Sequence, residues 1–414
     1  MTRELFSPQT FDAPNDAPKS GPLKLLFWAR GLRDFGDGFV AILLPAYLTS
    51  LGVSPFKVGV LAAVALLGSA LLTFLVGLIG ARHDHRYLLV AAAGLMTATG
   101  IALSMFDGYA ILLVIAFAGS VNPSGGSASS FVPIEHAVLT RETSDKARTR
   151  MFARYGLIGA MSSAAGALAA AIPDFLTRAG LSELTAIKAM FVVYALLGVI
   201  GAVLYARIPR RLPAMRLTSR AALGPSRNIV YKLAALFSLD AFAGGFVVQS
   251  LLAFWLFSRF DMSLAAASLF FFWSGILSAL SFPVAAALSK RFGLVNTMVF
   301  THLPSSICLI LAAFVPSLTA ALALLLARAA LSQMDVPTRS SYVMAVVTEA
   351  ERPAAASFTS VPRSLAASVS PALAGMLFSL SYHASPLIIC GALKIAYDLL
   401  LLKQFRRLKP PEEQ

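Results

Sequence analysis

Several charged side chains lie inside apolar stretches of this sequence. The first such stretch contains four charged residues that fall within an arc of roughly 100° when it is drawn as a helix: Arg30, Arg33, Asp34 and Asp37. Arg30 with Asp34, and Arg33 with Asp37, are spaced so that opposite charges can meet. Such carboxylates can bind a cation or take up a proton, and the guanidinium groups can bind an anion. Two internal salt bridges that fix the helix are the structural alternative.

A second charged helix face is predicted further along the chain. Its four members fall within about 60° of one another: Arg328, Ser332, Asp335 and Arg339. Pro337 removes a backbone donor and is expected to bend the helix beside Asp335. A bent helix with a charged face suits a moving gate, and a structural Asp335–Arg339 pair fits the same spacing.

Other polar residues occur singly inside apolar stretches. Asn122 opens the polar run Asn-Pro-Ser-Gly-Gly-Ser-Ala-Ser-Ser, which membrane depth tolerates only against protein or water. This run could line a pathway or allow close helix packing. Arg363 is predicted near a membrane surface, where it could serve in gating or reach the interface, and Glu135 is predicted to be interfacial. Lys394 and Asp398 are spaced as a structural ion pair.

The energetic cost of these charges indicates that they face inward. Each charged side chain costs about 2.5–3.5 kcal/mol at the centre of a span if it meets lipid. Four such charges on one helix would therefore cost on the order of 10 kcal/mol, which is comparable to the stability of a whole domain. We expect an interior or water-filled cavity on that side.

Enzyme chemistry is not expected from this sequence. The five histidines form no metal-spaced pair within a span, and Cys308 and Cys390 both lie in apolar runs. The sequence contains no phosphate-binding glycine loop and no nucleophile elbow. We therefore predict no metal site and no cofactor.

The elements that position these residues are membrane spans. Of the 414 residues, 57% are hydrophobic and 13% are charged, about half the charged share of a soluble protein. A helix needs about 20 mostly apolar residues to cross a bilayer. The chain divides into twelve such stretches: 23–49, 55–80, 87–106, 109–137, 151–172, 187–206, 229–258, 264–288, 293–315, 317–347, 354–380 and 385–405.

The distribution of Lys and Arg predicts the orientation of the spans. The tails and the even-numbered loops carry most of the 34 basic residues, and the odd-numbered loops carry only Lys57, Arg178, Lys188 and Arg259. Basic loops stay in the cytoplasm, so both termini are predicted there. The net charge of +14 is then a topological signal, and no nucleic acid is expected as a partner. The predicted organisation is a tail at 1–22, a six-helix half at 23–206, a basic linker at 207–228, a second half at 229–405 and a tail at 406–414.

The two predicted halves repeat each other at a shift of about 210 residues. Leu32-Arg-Asp-Phe-Gly-Asp-Gly-Phe-Val aligns with Leu239-Asp-Ala-Phe-Ala-Gly-Gly-Phe-Val, and Arg154 aligns with Arg363. Asp240 is the counterpart of Arg33 in this alignment, which suggests an ion pair between the halves. Duplicated six-span halves are typical of transporters whose site lies between them.

The chain resembles the major facilitator superfamily in span count, basic central linker and duplication. The stretch that begins at Met334 resembles the sequences of a poorly characterised prokaryotic branch of that family. The signature loop of that family corresponds here to Gly77-Leu-Ile-Gly-Ala-Arg-His-Asp-His-Arg86, and its second copy to Leu288-Ser-Lys-Arg-Phe-Gly293. Both copies lack the family's acidic residue. The resemblance implies twelve transmembrane helices in two pseudo-symmetric six-helix bundles. It also implies a gating role for Arg82, Arg86, Lys290 and Arg291.

These observations predict a secondary transporter that works by alternating access in the bacterial inner membrane, as a monomer among membrane lipids. A small excess of arginine over aspartate in the cavity favours a small anionic or zwitterionic substrate. Asp34 or Asp37 could couple transport to protons, and replacing either by Asn should then uncouple it. A proton-coupled exporter of lipophilic cations, and a lipid transporter or sensor of the same fold, are the alternatives.

Overall fold

The computed structural model describes residues 20–79, 83–119, 121–124, 131–141, 145–209, 224–348 and 351–406. These residues form sixteen helices: α1 (Ser20–Ser50), α2 (Pro55–Ile79), α3 (His85–Met105), α4 (Tyr109–Ala118), α5 (Phe131–Arg141), α6 (Asp145–Ala169), α7 (Ile172–Arg178), α8 (Glu183–Ala206), α9 (Arg227–Gly245), α10 (Gln249–Phe260), α11 (Leu264–Phe292), α12 (Leu294–Phe314), α13 (Leu318–Ser332), α14 (Asp335–Ala345), α15 (Arg352–Ser379) and α16 (Ser385–Phe405). They make up twelve spans, because three predicted spans are each built from two helices and α7 extends span 5.

The spans follow from local chemistry. Eight helical stretches in the described part are long and apolar enough to cross a bilayer, and α4 and α13 are shorter apolar helices. The charged residues of α1 and the polar residues of α15 lower the hydropathy of spans 1 and 11. Side chains at the helix starts supply caps, such as Ser182 for α8 and Ser263 for α11, whose hydroxyls accept backbone N–H bonds.

Spans 4, 7 and 10 are broken near the middle. In span 4 the helix α4 ends at Ala118, residues 121–124 are not helical, and the next described helix begins at Phe131. Span 7 changes from α9 to α10 at residues 246–248, and span 10 changes from α13 to α14 at Gln333 and Met334. Spans 4 and 10 are equivalent in the repeat, so the halves share this feature.

The break in span 10 differs from the expected bend. Pro337 is the third residue of α14, where the first four N–H groups of a helix have no intrahelical partner. The proline therefore begins a second helix and does not bend a continuous one. The break lies beside Asp335 as predicted, at Gln333 and Met334, but it separates two helices and does not bend a continuous one.

The two halves meet mainly through spans 2 and 11 and through spans 5 and 8. We call the end with loops 51–54, 179–182 and 380–384 the odd-loop face, and the opposite end the termini face. At the odd-loop face the Phe56 backbone N–H donates to Ser379 Oγ at 2.8 Å, and the Ala265 N–H donates to Asp174 Oδ2 at 2.9 Å. Gly59 and Gly375 pack so closely that a Cβ on Gly59 would lie 2.7 Å from the Gly375 Cα. The halves are thus closed against each other at this face.

Candidate substrate and ion site

A buried ion pair joins spans 1 and 4 in the first half. Arg33 Nη1 lies 2.9 Å from Glu135 Oε2, and both side chains are almost fully buried. The Tyr205 hydroxyl donates to Glu135 Oε1 at 2.5 Å, and the Tyr155 hydroxyl donates to Oε2. Buried carboxylates need such partners. Glu135 was expected to be interfacial, but its exposed fraction is 0%.

The other span 1 charges are held within the same half. Arg30 Nε lies 2.7 Å from Asp34 Oδ2, which confirms the predicted spacing as a contact. Gly159 of α6 leaves room for this pair, because a Cβ there would lie 2.7 Å from Arg30 Nε. Asp37 does not pair with Arg33 as expected; it is 2% exposed and accepts a 3.2 Å hydrogen bond from the Tyr194 hydroxyl. Arg33 turns instead towards Asp34 and Glu135.

A second buried network lies in the other half. Asp240 of α9 accepts from Arg339 Nη1 at 2.9 Å and from Lys394 Nζ at 2.6 Å. Arg339 also reaches Asp335 Oδ2 at 3.3 Å, as its spacing predicts. Spans 7, 10 and 12 therefore meet at one carboxylate. We call Glu135 and Asp240 the hub carboxylates of the two halves.

A histidine extends this second network. His302 of α12 is 3% exposed, and its Nδ1 lies 3.0 Å from both carboxylate oxygens of Asp398. Its Nε2 lies 3.3 Å from Lys394 Nζ. The Tyr397 ring packs edge-on against the imidazole with centroids 6.1 Å apart. Lys394 and Asp398 thus bind Asp240 and His302, and the expected structural pair between them is not formed.

The expected ion pair between Arg33 and Asp240 is also wrong. Each residue is neutralised inside its own half, by Glu135 and by Arg339 with Lys394 respectively. Both side chains sit within their own bundle, so a contact between the halves would break a buried pair in each.

Two of the arginines predicted for the site, both in the second half, carry no ion pair among the described residues. Arg328 lies towards Cys308 and Cys390 and away from Asp335. The turn after Ser332 changes the helix phase, so the common charged face predicted for span 10 does not form. Arg363 of α15 is exposed and lies within electrostatic range of Arg339, Asp240 and Asp335. It is the exposed cation beside the second network.

Unpaired polar atoms occur where the broken spans meet. The Ser250 N–H at the start of α10 donates to the Pro123 carbonyl at 3.0 Å, which joins the breaks of spans 7 and 4 across the halves. Beside it, Asn122 is 3% exposed, and its Nδ2 has no partner among the described residues. The hydroxyls of Ser250 and Ser370 are likewise buried and without partners there. Buried polar groups of this kind are available to a polar ligand or to water.

Three of the four predicted gating residues lie at the termini face. Arg82 lies outside the described residues. Arg86 is the second residue of α3, and its N–H donates to Asp84 Oδ1 at 3.0 Å. Lys290 and Arg291 are exposed in the last turn of α11. Asp84 is the N-cap of α3.

Two carboxylates outside the spans have lowered pKa values. The pKa of Asp107 is lowered because Lys188 and the Tyr47 hydroxyl donate to it. The pKa of Glu351 is lowered to about 2 by hydrogen bonds from Thr348, from Ser226 and from the backbone N–H of Gly224. Asp107 ties the loop between α3 and α4 to α1 and α8, and Glu351 ties the start of α15 to the residues that precede α9.

Sequence reasoning placed Glu135 at the interface, and it did not single out His302 or the tyrosines of spans 5 and 6. Glu135 and His302 lie inside predicted spans 4 and 9. An ionisable residue at that depth is a functional candidate by default. That rule alone would have singled them out, whereas nothing in the sequence distinguishes Tyr155 and Tyr205 from other tyrosines near helix ends.

Comparison with known proteins identifies the family of the chain. The Major Facilitator Superfamily profile matches residues 26–327 and, in a second match, 234–414. An uncharacterized membrane protein of Saccharomyces cerevisiae is 23% identical over 423 residues, covering 93% of this chain and 94% of the yeast protein. A variant of the nucleoside transporter NupG superposes with a TM-score of 0.74 at 13% identity, covering 93% of this chain and all of that one.

The inward open xylose transporter XylE from E. coli superposes with a TM-score of 0.73 at 14% identity, covering 94% of this chain and 97% of that one. These likenesses show the fold of twelve helices in two six-helix halves, and they agree with the profile. The chain is an integral, multi-pass membrane transporter that belongs to the Major Facilitator Superfamily.

Proposed function

We propose that this transporter moves a small anionic or zwitterionic solute by alternating access. The observation that carries the proposal is Arg363. It is exposed and free of ion pairs among the described residues, whereas Arg339 and Lys394 are both bonded to Asp240. A guanidinium left free beside a neutralised network suits recognition of a carboxylate or phosphate.

The middle of the protein supports a polar solute. The unpaired atoms of Asn122, Ser250 and Ser370 lie where broken spans meet, and transporters place their sites at such breaks. With both termini in the cytoplasm, the closed odd-loop face is the outer face. The solute would then enter from or leave to the cytoplasm in this conformation.

Proton coupling is the second part of the proposal. Asp34 is held in ion pairs by both Arg30 and Arg33. Asp37 has a tyrosine hydroxyl and no ion pair among the described residues, and it is therefore the better candidate of the two. The same carboxylate would serve a lipophilic cation if the substrate were of that class.

Thermal stabilisation of the purified protein tests the substrate class. One panel contains succinate, gluconate, glycerol phosphate and glycine, and the matched panel contains tetraphenylphosphonium and ethidium. A ligand that binds the folded state raises its melting temperature. We expect stabilisation by a member of the first panel that is lost in Arg363→Gln and kept in Arg178→Gln, which removes an exposed charge at the odd-loop face. Stabilisation by the cations alone, lost in Asp37→Asn, would overturn the proposal in favour of an exporter of lipophilic cations.

A further inference from the structure

We propose that His302 is a proton-binding site whose occupancy decides whether Lys394 stays on Asp240. The inference extends the coupling part of the proposed function to the second half of the protein. It rests on three contacts that meet at one imidazole ring: Asp398 on Nδ1, Lys394 on Nε2, and Asp240 at 4.0 Å from Nε2.

The hydrogen-bond pattern fixes the tautomer of His302. A lysine ammonium has three donors and no acceptor, so Nε2 at 3.3 Å from Lys394 Nζ must be the accepting nitrogen. The proton is then on Nδ1 and is donated to Asp398 at 3.0 Å. In this arrangement the imidazole is neutral.

A proton added to His302 would conflict with Lys394. It would go to Nε2 and place an N–H donor and a positive charge against an ammonium at 3.3 Å. Two cations that both donate cannot share this contact. Either Lys394 releases a proton, with no net uptake by the pair, or its Nζ moves away and both groups stay protonated. Net proton uptake therefore requires the contact between Lys394 and His302 to open.

Two carboxylates near the ring would stabilise a proton on His302. A charged His302 has Asp398 on one nitrogen and Asp240 at 4.0 Å from the other. It could therefore replace Lys394 as a partner of Asp240, and Lys394, whose side chain is 12% exposed, would be released from its 2.6 Å contact. Proton uptake would thus exchange the span 12 partner of Asp240 for one from span 9.

This exchange of partners at Asp240 would also affect the broken span 10. Asp240 also holds Arg339 of α14 at 2.9 Å, and Arg339 holds Asp335 where span 10 resumes. Four neighbouring helices supply the charged and titratable groups around His302. They are Lys394, Tyr397 and Asp398 of α16, Asp240 of α9, Asp335 and Arg339 of α14, and Arg328 of α13. The Arg328 side chain lies towards the thiols of Cys308 and Cys390. The charged residues of α11 are confined to its last turn. Among the residues that the structure describes, Lys394 is the one cation in contact with the ring.

Nuclear magnetic resonance of ¹⁵N-histidine in the full-length protein tests the inference directly. The His302 signals are assigned with His302→Gln, and the tautomer and proton uptake are followed between pH 5 and 9. We expect the Nδ1–H tautomer at high pH and protonation within this range. At a given pH the protonated fraction should be larger in Lys394→Gln, by up to about tenfold for a change of about one pH unit. Lys403→Gln, which removes an exposed charge from the same helix, should leave the titration unchanged.

A His302 signal that does not titrate in this range, or one that titrates identically in Lys394→Gln, would overturn the inference. Proteoliposome uptake supplies the functional arm: an imposed pH gradient should accelerate solute uptake in the wild type, and the ratio of rates with and without the gradient should fall to near one in His302→Gln. An unchanged ratio in that variant would also overturn it. If the wild type transports no member of the solute panels, the proposed function fails, and the titration still tests the proton site.

Discussion

The two halves use the same helices for a buried ion pair but with reversed charges. In the first half Arg33 of span 1 meets Glu135 of span 4, and in the second Asp240 of span 7 meets Arg339 of span 10, both at 2.9 Å. Spans 1 and 7, and spans 4 and 10, are equivalent in the repeat. The repeat therefore retains a contact between its first and fourth spans and does not retain the sign of either residue.

The surroundings of the two pairs differ in a way that matters for function. Glu135 is bonded to arginine and to two tyrosine hydroxyls, groups that keep their charge state at ordinary pH. Asp240 is bonded to arginine and lysine, with a histidine next to the lysine. An imidazole changes charge near neutral pH. The first network suits a fixed structure, and the second suits a response to protons.

The largest effect is expected when a hub carboxylate is neutralised. Removing one partner of a buried pair typically costs about 3–5 kcal/mol, because the other charge stays buried without compensation. Glu135→Gln leaves Arg33 with Asp34 alone, which Arg30 also contacts. Asp240→Asn leaves Lys394 without its carboxylate partner and Arg339 with Asp335 alone, so we expect the second variant to be the less stable. Thermal unfolding of the purified variants measures the difference.

A double variant makes this comparison specific. Arg33→Gln together with Glu135→Gln should recover part of the stability lost in Glu135→Gln alone, with a coupling of about 1–3 kcal/mol. The double variant Arg33→Asp with Asp240→Arg exchanges charges between the halves. It should not recover the stability that each of these single changes removes. If it did, the two networks would not be separate.

A smaller but directional effect is expected at the closed face. Gly59→Leu should disfavour contact between the halves, because a Cβ there would lie 2.7 Å from the Gly375 Cα. Spin labels at Ser54→Cys and Tyr382→Cys, in a background without Cys308 and Cys390, would report longer distances across the odd-loop face. Gly94→Leu is the matched control, since nothing lies within 4 Å of a Cβ at that position. Equal distances in both variants would argue against movement of the halves as separate bodies.

The smallest effect is expected at Glu351, which holds the end of the linker on the second half. Its pKa is lowered to about 2 by Thr348, Ser226 and Gly224. A lowered pKa means that the stabilisation is fully present above about pH 4.5, the ordinary value, and is lost as the pH falls through about 2. Glu351→Gln should remove this acid dependence from the melting temperature. The assignment of this acid dependence to Glu351 would be contradicted if the wild-type melting temperature were the same at pH 6 and pH 3 and Glu351→Gln gave the same result.

Sequence alone determined the membrane class, the twelve spans and the repeated halves. These properties depend on local hydropathy and on spacing, which the chain carries residue by residue. It also determined that the charges of spans 1 and 10 face inward, because lipid would penalise them heavily. The Arg30–Asp34 and Asp335–Arg339 contacts followed from helical spacing within unbroken stretches.

Only the tertiary structure decided which buried charges are partners. Arg33 pairs with Glu135, and Lys394 pairs with Asp240, at sequence separations that no local spacing encodes. The turn at Gln333 and Met334 changed the helix phase and removed Arg328 from the face of Asp335. A buried charge takes the best partner that the packed helices bring within a few ångströms. Neighbouring helices, their rotation and their breaks therefore set the network, and these are fixed only when the bundle is assembled.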